Sequence, residues 1–543
     1  TGVTTGTSAV DVDDSDNFVV RNVYFVDVDT AAVDANAVDG LLITGCYAPA
    51  GVSLLTEASS QNTAIIGSLG DEGAGGFAIY VAAADASEDA KRSAHYVCDG
   101  IADDVEINAA IQAIPKNANG NYAGRVCLSA GNFYLADTIH LYRDNGAKAC
   151  LYTLQGEGMS STILWLQAGA NCDMIDAVIP DGSHTTVGFM QIRDMTLDGN
   201  YNNNTSGNGI YVIDSSGAGA GSLYDANIDH VMAYHCAEDG FHFENSWGYK
   251  ITNCITESCN QTGLYLTGSQ AYVSNHFTAY NGLAAVYQGA SDSAFVNIHC
   301  YKNNGYNFDG FLYGSFYIKS SYSTYSNISM SGWGDDGRGH TQTGSVGLYL
   351  YSGNGNTFAS IRINGLLAAG ATQATNGDAI YLGTAQSNTF SSVTIKYQHN
   401  EPIDVSPSSY GNVFSAVTAS WGGNNNEKYD NDRQNNILDD VIMVQDVDTN
   451  TTVIQTEGMA SMTTQGGPIA ATLGDGVAEG QKIRLYMNSR GGGNNAVITI
   501  TSHSEGDNRT ATFDAVGEYA VFQWDASNEY WTTVAATATI AGP

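Results

Sequence analysis

Asparagine returns at a fixed place in a short strand pattern, and that repeat restricts the fold of this chain more than any other feature. Segments 251–255 (ITNCI), 273–277 (VSNHF) and 295–299 (FVNIH) each put Asn third, giving Asn253, Asn275 and Asn297 at a period of 22. Segment 228–231 (IDHV) holds the same phase, with Asp229 24 residues before Asn253, and Asn327 follows Asn297 after 30. Between these lie turn-then-strand units: 239–243 (DGFHF), 262–266 (TGLYL), Asn281 with Gly282, Asn304 with Gly305, then 346–350 (VGLYL) and 378–382 (DAIYL). A second series, Asn356, Asn388 and Asn412, each two residues before a Phe, recurs at 32 and then 24.

Such short strands, with alternating apolar positions and Asn-Gly punctuation, cannot bury their faces alone. Stacked coil upon coil, each covers its neighbour, and equivalent Asn side chains can hydrogen-bond along the stack. A rung of about 20 to 25 residues with three short strands reads as a β-solenoid, whereas helical repeats are longer and lack the strand pattern. The stacked Asn residues are therefore expected to be structural.

Composition agrees with an all-β chain rich in turns: 543 residues hold 62 Gly, 7 Pro and 32 Tyr. The 56 acidic residues outnumber 20 basic ones, a formal net charge of -36, so the surface repels nucleic acid and anionic membranes. Two readings of that acidity stay open: a solvated exterior, or carboxylates clustered for divalent cations or acid–base chemistry. Nine cysteines at irregular spacing form no CxxC pair and no zinc pattern, and they are expected to act mostly as small buried hydrophobes. No run of 18 apolar residues is present, so no membrane insertion is expected, and no secretion-signal pattern opens the sequence.

Segments 96–112 (YVCDGIADDVEINAAIQ), 124–134 (GRVCLSAGNFY) and 138–141 (TIHL) form an aspartate-rich turn, a short amphipathic helix and an apolar strand. This resembles the opening of the pectate-lyase-like superfamily, common in phage tailspikes and in polysaccharide lyases and hydrolases. Segments 154–158 (LQGEG) and 192–199 (IRDMTLDG) also resemble its early rungs. The resemblance implies a right-handed parallel β-helix over 81–430, with a helix near 103–114 plugging its open end. Asp103 is expected to cap that helix with Glu106 three residues on, and Ile107, Ile111 and Ile114 to face the core. Residues 1–80 read as a short solenoid-like segment, because 19–25, 40–44 and 63–67 recur at about 22. A polar stretch at 427–438 marks a boundary, and 438–543 reads as a small C-terminal β-sandwich-like domain. Its segments 441–444, 482–487, 496–500, 510–513 and 519–524 read as antiparallel strands. That region resembles small β domains of bacteriophage structural proteins, and a glycan-binding β-sandwich would look much the same.

Three constellations could carry chemistry on an outer solenoid face. Glu238, Asp239 and His242 resemble the acidic-pair rung of polygalacturonase-like hydrolases, although the Gly-His-Gly and Arg-x-Lys of that family are missing downstream. The plain reading is a solvated carboxylate pair at a turn. Trp333, Asp335, Asp336, Arg338 and His340 fall in the longest interruption of the repeat. There Trp333 could stack on a pyranose while Arg338 pairs with a uronate, or the loop is simply glycine-rich. Asp194, Asp198 and Asp229 on nearby rungs could join Glu238 or Asp239, or close turns. Asp11 and Asp13 open an EF-hand-like run that lacks the Glu at its twelfth position, so Ca2+ there has weak support.

The reading that follows is a virion-surface appendage, a tailspike or capsid fibre, contacting host cell-surface polysaccharide and able to cleave it if the carboxylates converge. By resemblance it would be a homotrimer lying against other virion proteins. The alternatives are a secreted polysaccharide lyase or glycoside hydrolase, and a purely structural or decoration protein.

Overall fold

The computed structural model describes residues 8–13, 19–21, 31–36, 42–44, 53–58, 64–66, 77–115, 122–141, 150–179, 190–214, 226–303, 314–332, 346–364, 378–398, 403–421, 429–431, 437–447, 458–464, 467–476, 480–504 and 509–542. Two compact units divide the chain: 1–237 with 245–254, and 238–244 with 255–543. Each is a stack of parallel strands.

In the first unit, strands Ser8–Asp13, Ala31–Asn36 and Ser53–Ala58 pair in parallel, as do Val19–Arg21, Leu42–Thr44 and Ala64–Ile66. Their partners lie 22 or 23 residues apart, as Ser8 opposite Ala31 and Ala31 opposite Ser53 show. Further on, a rung has three faces. Tyr122–Leu128 lies between Ala78–Ala82 and Cys150–Gln155, Gly131–Leu135 pairs with Thr162–Leu166, and Ile139–His140 pairs with Ile175–Ile179. Strand Gln191–Asp198 joins the first two faces: Gln191 to Arg193 continue one, and Thr196 to Asp198 continue the other. Between them Asp194 takes a left-handed backbone, with φ 60. Chain returning to the same sheet round each rung takes the right-handed crossover that right-twisted strands favour, which makes the stack a right-handed parallel β-helix.

That left-handed corner explains the Asn repeat. It recurs at His230, Asn253, Asn275, Asn297, Asn327, Ser360, Ser392 and Ala416, with φ between 51 and 57. Asn tolerates this region better than other residues with a Cβ. Strand pairing puts Asp229 opposite Thr252, so His230, not Asp229, is the register partner of Asn253. The Asn side chains then bond along the stack: Asn297 donates to Asn275 at 2.9 Å, and Asn327 to Asn297 at 2.7 Å.

The second unit repeats the arrangement. One series of strands runs from Tyr272–Ala279 through Ala294–Tyr301, Thr324–Ser331, Thr357–Asn364, Thr389–Gln398 and Val413–Trp421. The other runs from Leu264–Ser269 through Val286–Ser291, Gly314–Ile318, Val346–Asn354, Ile380–Gln386 and Ile403–Val405. Two columns fill it. Phe295, Tyr325, Phe358, Phe390 and Phe414 stack with centroids 4.4 to 5.2 Å apart. Burying each ring contributes about 2 to 3 kcal/mol. The second series of asparagines forms a buried polar column: the Asn356 amide donates to Asn388 Oδ1 at 2.9 Å, and the Asn388 amide to Asn412 Oδ1 at 3.1 Å.

Two sequence expectations change. The plugging helix spans Asp104–Ala113, and Asp103 makes no side-chain cap bond to it. Its carboxylate instead accepts the Gly100 amide at 2.8 Å and the Tyr134 amide at 2.7 Å, pinning the turn to strand Gly131–Leu135. Near the C-terminus the antiparallel reading holds only late. Strand Ile437–Val447 is parallel to Val413–Trp421, with partners such as Val413 and Ile437 still a 24-residue rung apart, and parallel to Gly458–Thr463, where Val444 faces Met459 across a shorter connection. Lys482–Ser489 is parallel to Gly458–Thr463 on one edge and antiparallel to Tyr519–Asp525 on the other. Antiparallel strands Arg509–Phe513, Tyr519–Asp525, Tyr530–Ala536 and Thr539–Ala541 then close the two sheets. Their core holds Phe513, Phe522 and Trp531.

Among the described cysteines none is in a disulfide. Cys98, Cys236, Cys254, Cys259 and Cys300 are buried, as small hydrophobes would be, and Cys127 and Cys172 are half-buried. Burial pushes the Cys254 thiol up to about 12, so it stays protonated and unreactive. No described helix is long and apolar enough to cross a membrane.

Candidate functional site

Strand periodicity sets the site. In 264–266 and 346–350 the Leu residues point inward, so the Tyr between them points out. Register then aligns Tyr265, Tyr287, Tyr317, Tyr349 and Tyr381 on successive rungs of one face of the second unit. Tyr265 and Tyr287 stack at 4.5 Å and 9°, and Tyr287 and Tyr317 at 5.0 Å and 15°. From there the rings turn edge-on, Tyr317 to Tyr349 at 5.2 Å and Tyr349 to Tyr381 at 5.0 Å. Four of the five are half-exposed, while Tyr317 is 5% exposed and locks the row in the middle. Burial beside Tyr381 and Tyr351 pushes the Tyr349 hydroxyl up to about 12, so it acts as a neutral donor.

His242 continues the row, its ring 4.2 Å from Tyr265 and tilted 19°. Asp239 is buried and both of its oxygens are engaged: Oδ1 accepts the Thr262 amide at 2.7 Å, and Oδ2 meets His242 Nδ1 at 2.8 Å. A carboxylate oxygen accepts, so Nδ1 is the donor of this pair. Glu244 Oε2 lies 3.7 Å from Nε2. Nε2 itself has no solvent contact. The geometry holds His242 in a fixed orientation at the end of the tyrosine row, with both Asp239 oxygens hydrogen-bonded. Glycine is required at the turn beside it: a Cβ on Gly263 would meet Thr278 Oγ1 at 2.4 Å.

Of the residues chosen from sequence, Asp239 and His242 come together. Glu238 sits half-buried next to them, its carbonyl accepting the Gln261 amide at 3.1 Å. In the first unit, Asp194 bonds His230 and Arg193, Asp229 bonds Thr252 and Asn253, and Asp198 lies 3.7 Å from His235. Each is engaged on its own corner. Burial would raise the Asp194 carboxyl, but bonds from His230 and Arg193 outweigh it and hold the group below the usual range. Trp333, Asp335, Asp336, Arg338 and His340 lie outside the described residues. So do the side chains of Asp11 and Asp13, whose backbones belong to strand Ser8–Asp13. Glu244 and the tyrosine row were missed. The signal lies in the Leu-Tyr-Leu triplets, which by themselves mark only a strand with one outward Tyr.

Fold and exterior together define a parallel β-helix protein with an aromatic row on one outer face. No family model matches the chain, and no curated protein matches it. Among solved structures it is similar to the mannuronan C-5 epimerase AlgE6 A-module of Azotobacter vinelandii, at 16% identity and a TM-score of 0.44, covering 63% of this chain and 94% of that one. It is similar to ORF18 of Geobacillus virus E2 at 15% identity and a TM-score of 0.40, over 81% of this chain and 74% of that one. The Dettilon tailspike protein gives 11% identity and a TM-score of 0.33, over 77% of this chain and 74% of the other. Likeness at this level says nothing of activity, ligand or assembly.

Proposed function

We propose that the chain is a virion-surface appendage that holds a host cell-surface polysaccharide along its tyrosine row. The observation that carries this reading is the register of Tyr265, Tyr287, Tyr317, Tyr349 and Tyr381 on one outer face. Rungs rise about 4.8 Å apart, so the row offers a stiff, repeating set of ring edges and hydroxyls to a linear polymer. Rigid aromatic platforms lose little entropy on binding. The resemblance of 96–141 to phage tailspike openings supports placement on a virion, and the acidic surface suits a solvated, exposed fibre. Assembly as a homotrimer beside other virion proteins belongs to the same proposal.

A secreted polysaccharide lyase or hydrolase is the second reading, favoured by the half-exposed Glu244 carboxylate beside the Asp239–His242 pair. One experiment separates them. Purified protein is incubated with capsular and other bacterial surface polysaccharides, with and without Ca2+, and both binding and product size are followed. Binding without depolymerisation, lost in Tyr265→Ala with Tyr287→Ala, supports adhesion. Depolymerisation lost in Glu244→Gln supports the enzyme. Neither binding nor cleavage across a broad panel, from a folded oligomer, removes both and leaves a structural protein.

A further inference from the structure

The first unit carries a cavity of about 420 Å3 between helix α1 (Glu88–Ser93) and the outer face of strands Ala78–Ala82, Tyr122–Leu128 and Cys150–Gln155. Tyr80, Cys127 and Gln155 are register partners on three neighbouring strands, all facing out, and form its floor. Tyr80 is held in place: its amide donates to His95 Nδ1 at 3.0 Å, and the His95 ring stacks on it at 6.0 Å and 12°. Arg125 and Glu157 stand on the cavity wall.

Arg125 is the informative residue. The chain has 56 acidic side chains to 20 basic ones, yet among the described residues the Arg125 guanidinium pairs with no carboxylate. Arg193, on the same face and in register with Gln155, is by contrast paired with Asp194 at 2.8 Å. A fork of planar donors with no carboxylate partner among the described residues, on the wall of a concavity, suits a planar anion. A rigid ring on the floor suits the apolar face of a pyranose, and Gln155 with Glu157 suits hydroxyls.

We propose that this cavity is a subsite for a uronic acid residue, with Arg125 pairing the sugar carboxylate and Tyr80 lying against the ring. The proposal takes its ligand class from the polysaccharide reading above, but it names a separate place and an acidic sugar. The same face continues through Gln155 to Arg193, whose guanidinium is already held by Asp194, so the proposal assigns the sugar carboxylate to Arg125 alone.

The test uses the full chain with oligogalacturonate and oligoglucuronate, each beside its carboxyl-reduced neutral analogue, read by calorimetry. Wild type is expected to bind the acidic form, and Arg125→Gln to weaken that binding about tenfold or more with no change toward the neutral form. Arg125 is exposed, so this variant is expected to fold, and circular dichroism checks it. Cys127 gives an independent readout: the acidic oligosaccharide should slow its alkylation, mapped by mass spectrometry, in wild type and not in Arg125→Gln. Unchanged binding in Arg125→Gln, or no uronate binding at all, overturns the proposal. Uronate binding lost in Tyr287→Ala but kept in Arg125→Gln also overturns it, and then the ligand belongs to the tyrosine row and the adhesion reading stands.

Discussion

Removing one buried asparagine should hurt the fold far more than removing an exposed one from the parallel ladder. Asn388 is 0% exposed, accepts the Asn356 amide through Oδ1 at 2.9 Å, and donates through Nδ2 to the Gly353 carbonyl at 3.0 Å and Asn412 Oδ1 at 2.9 Å. In Asn388→Ala the Asn356 amide is left buried without its acceptor. The Gly353 carbonyl loses a donor, while Asn412 keeps the Asn388 backbone amide. One orphaned amide at about 1 to 3 kcal/mol, a second lost bond at about 1 and the hole left by the amide give roughly 3 to 5 kcal/mol. Asn297→Ala breaks two bonds that water can replace and puts Ala in the left-handed region, for roughly 1 to 2 kcal/mol. Asn297→Gly removes that backbone penalty and should be near neutral. Urea midpoints of the three variants, compared at equal transition slope, measure the order. A loss in Asn297→Ala equal to or above that in Asn388→Ala would refute the claim that burial, not the ladder itself, sets the contribution.

His276 is fully buried against Thr256, and burial drags its imidazole down to about 3 from 6.5. The folded protein keeps it neutral while the unfolded chain protonates below 6.5. Its contribution is therefore complete above that pH and falls by about 1.4 kcal/mol per pH unit on acidification toward 3. Denaturation midpoints between pH 7 and pH 4 should flatten in His276→Gln; an unchanged slope would rule His276 out as a source. Asp103→Ala leaves the Gly100 and Tyr134 amides without acceptors and should lower stability by about 2 to 4 kcal/mol, whereas a capping residue alone would give about 1. Calorimetric melting separates the two values. Tyr287→Ala interrupts two stacked pairs and should weaken polysaccharide retention about tenfold or more, with Tyr486→Ala, on a strand outside the row, as the unchanged control.

The repeat made the solenoid legible, because a period near 22 with alternating apolar residues has one economical way to bury its strands. It also marked the recurring Asn residues as structural, since an Asn side chain can bond its own copy on the next rung. The corner itself was not legible. It persists at Ser360, Ser392 and Ala416, where the residue type carries no signal and the stacked neighbours impose the backbone. Sequence marked Asp239 and His242 as a pair, but only the structure shows that Thr262 and His242 each bond one Asp239 oxygen. Local pattern could place each Tyr on an outer face; that five of them share one row depends on rung lengths of 22, 30 and 32 residues all returning to the same register. Variable turns absorb the difference in length, so composition and local spacing fix which residues turn inward, and the stacking of one rung on the next decides which outward residues meet.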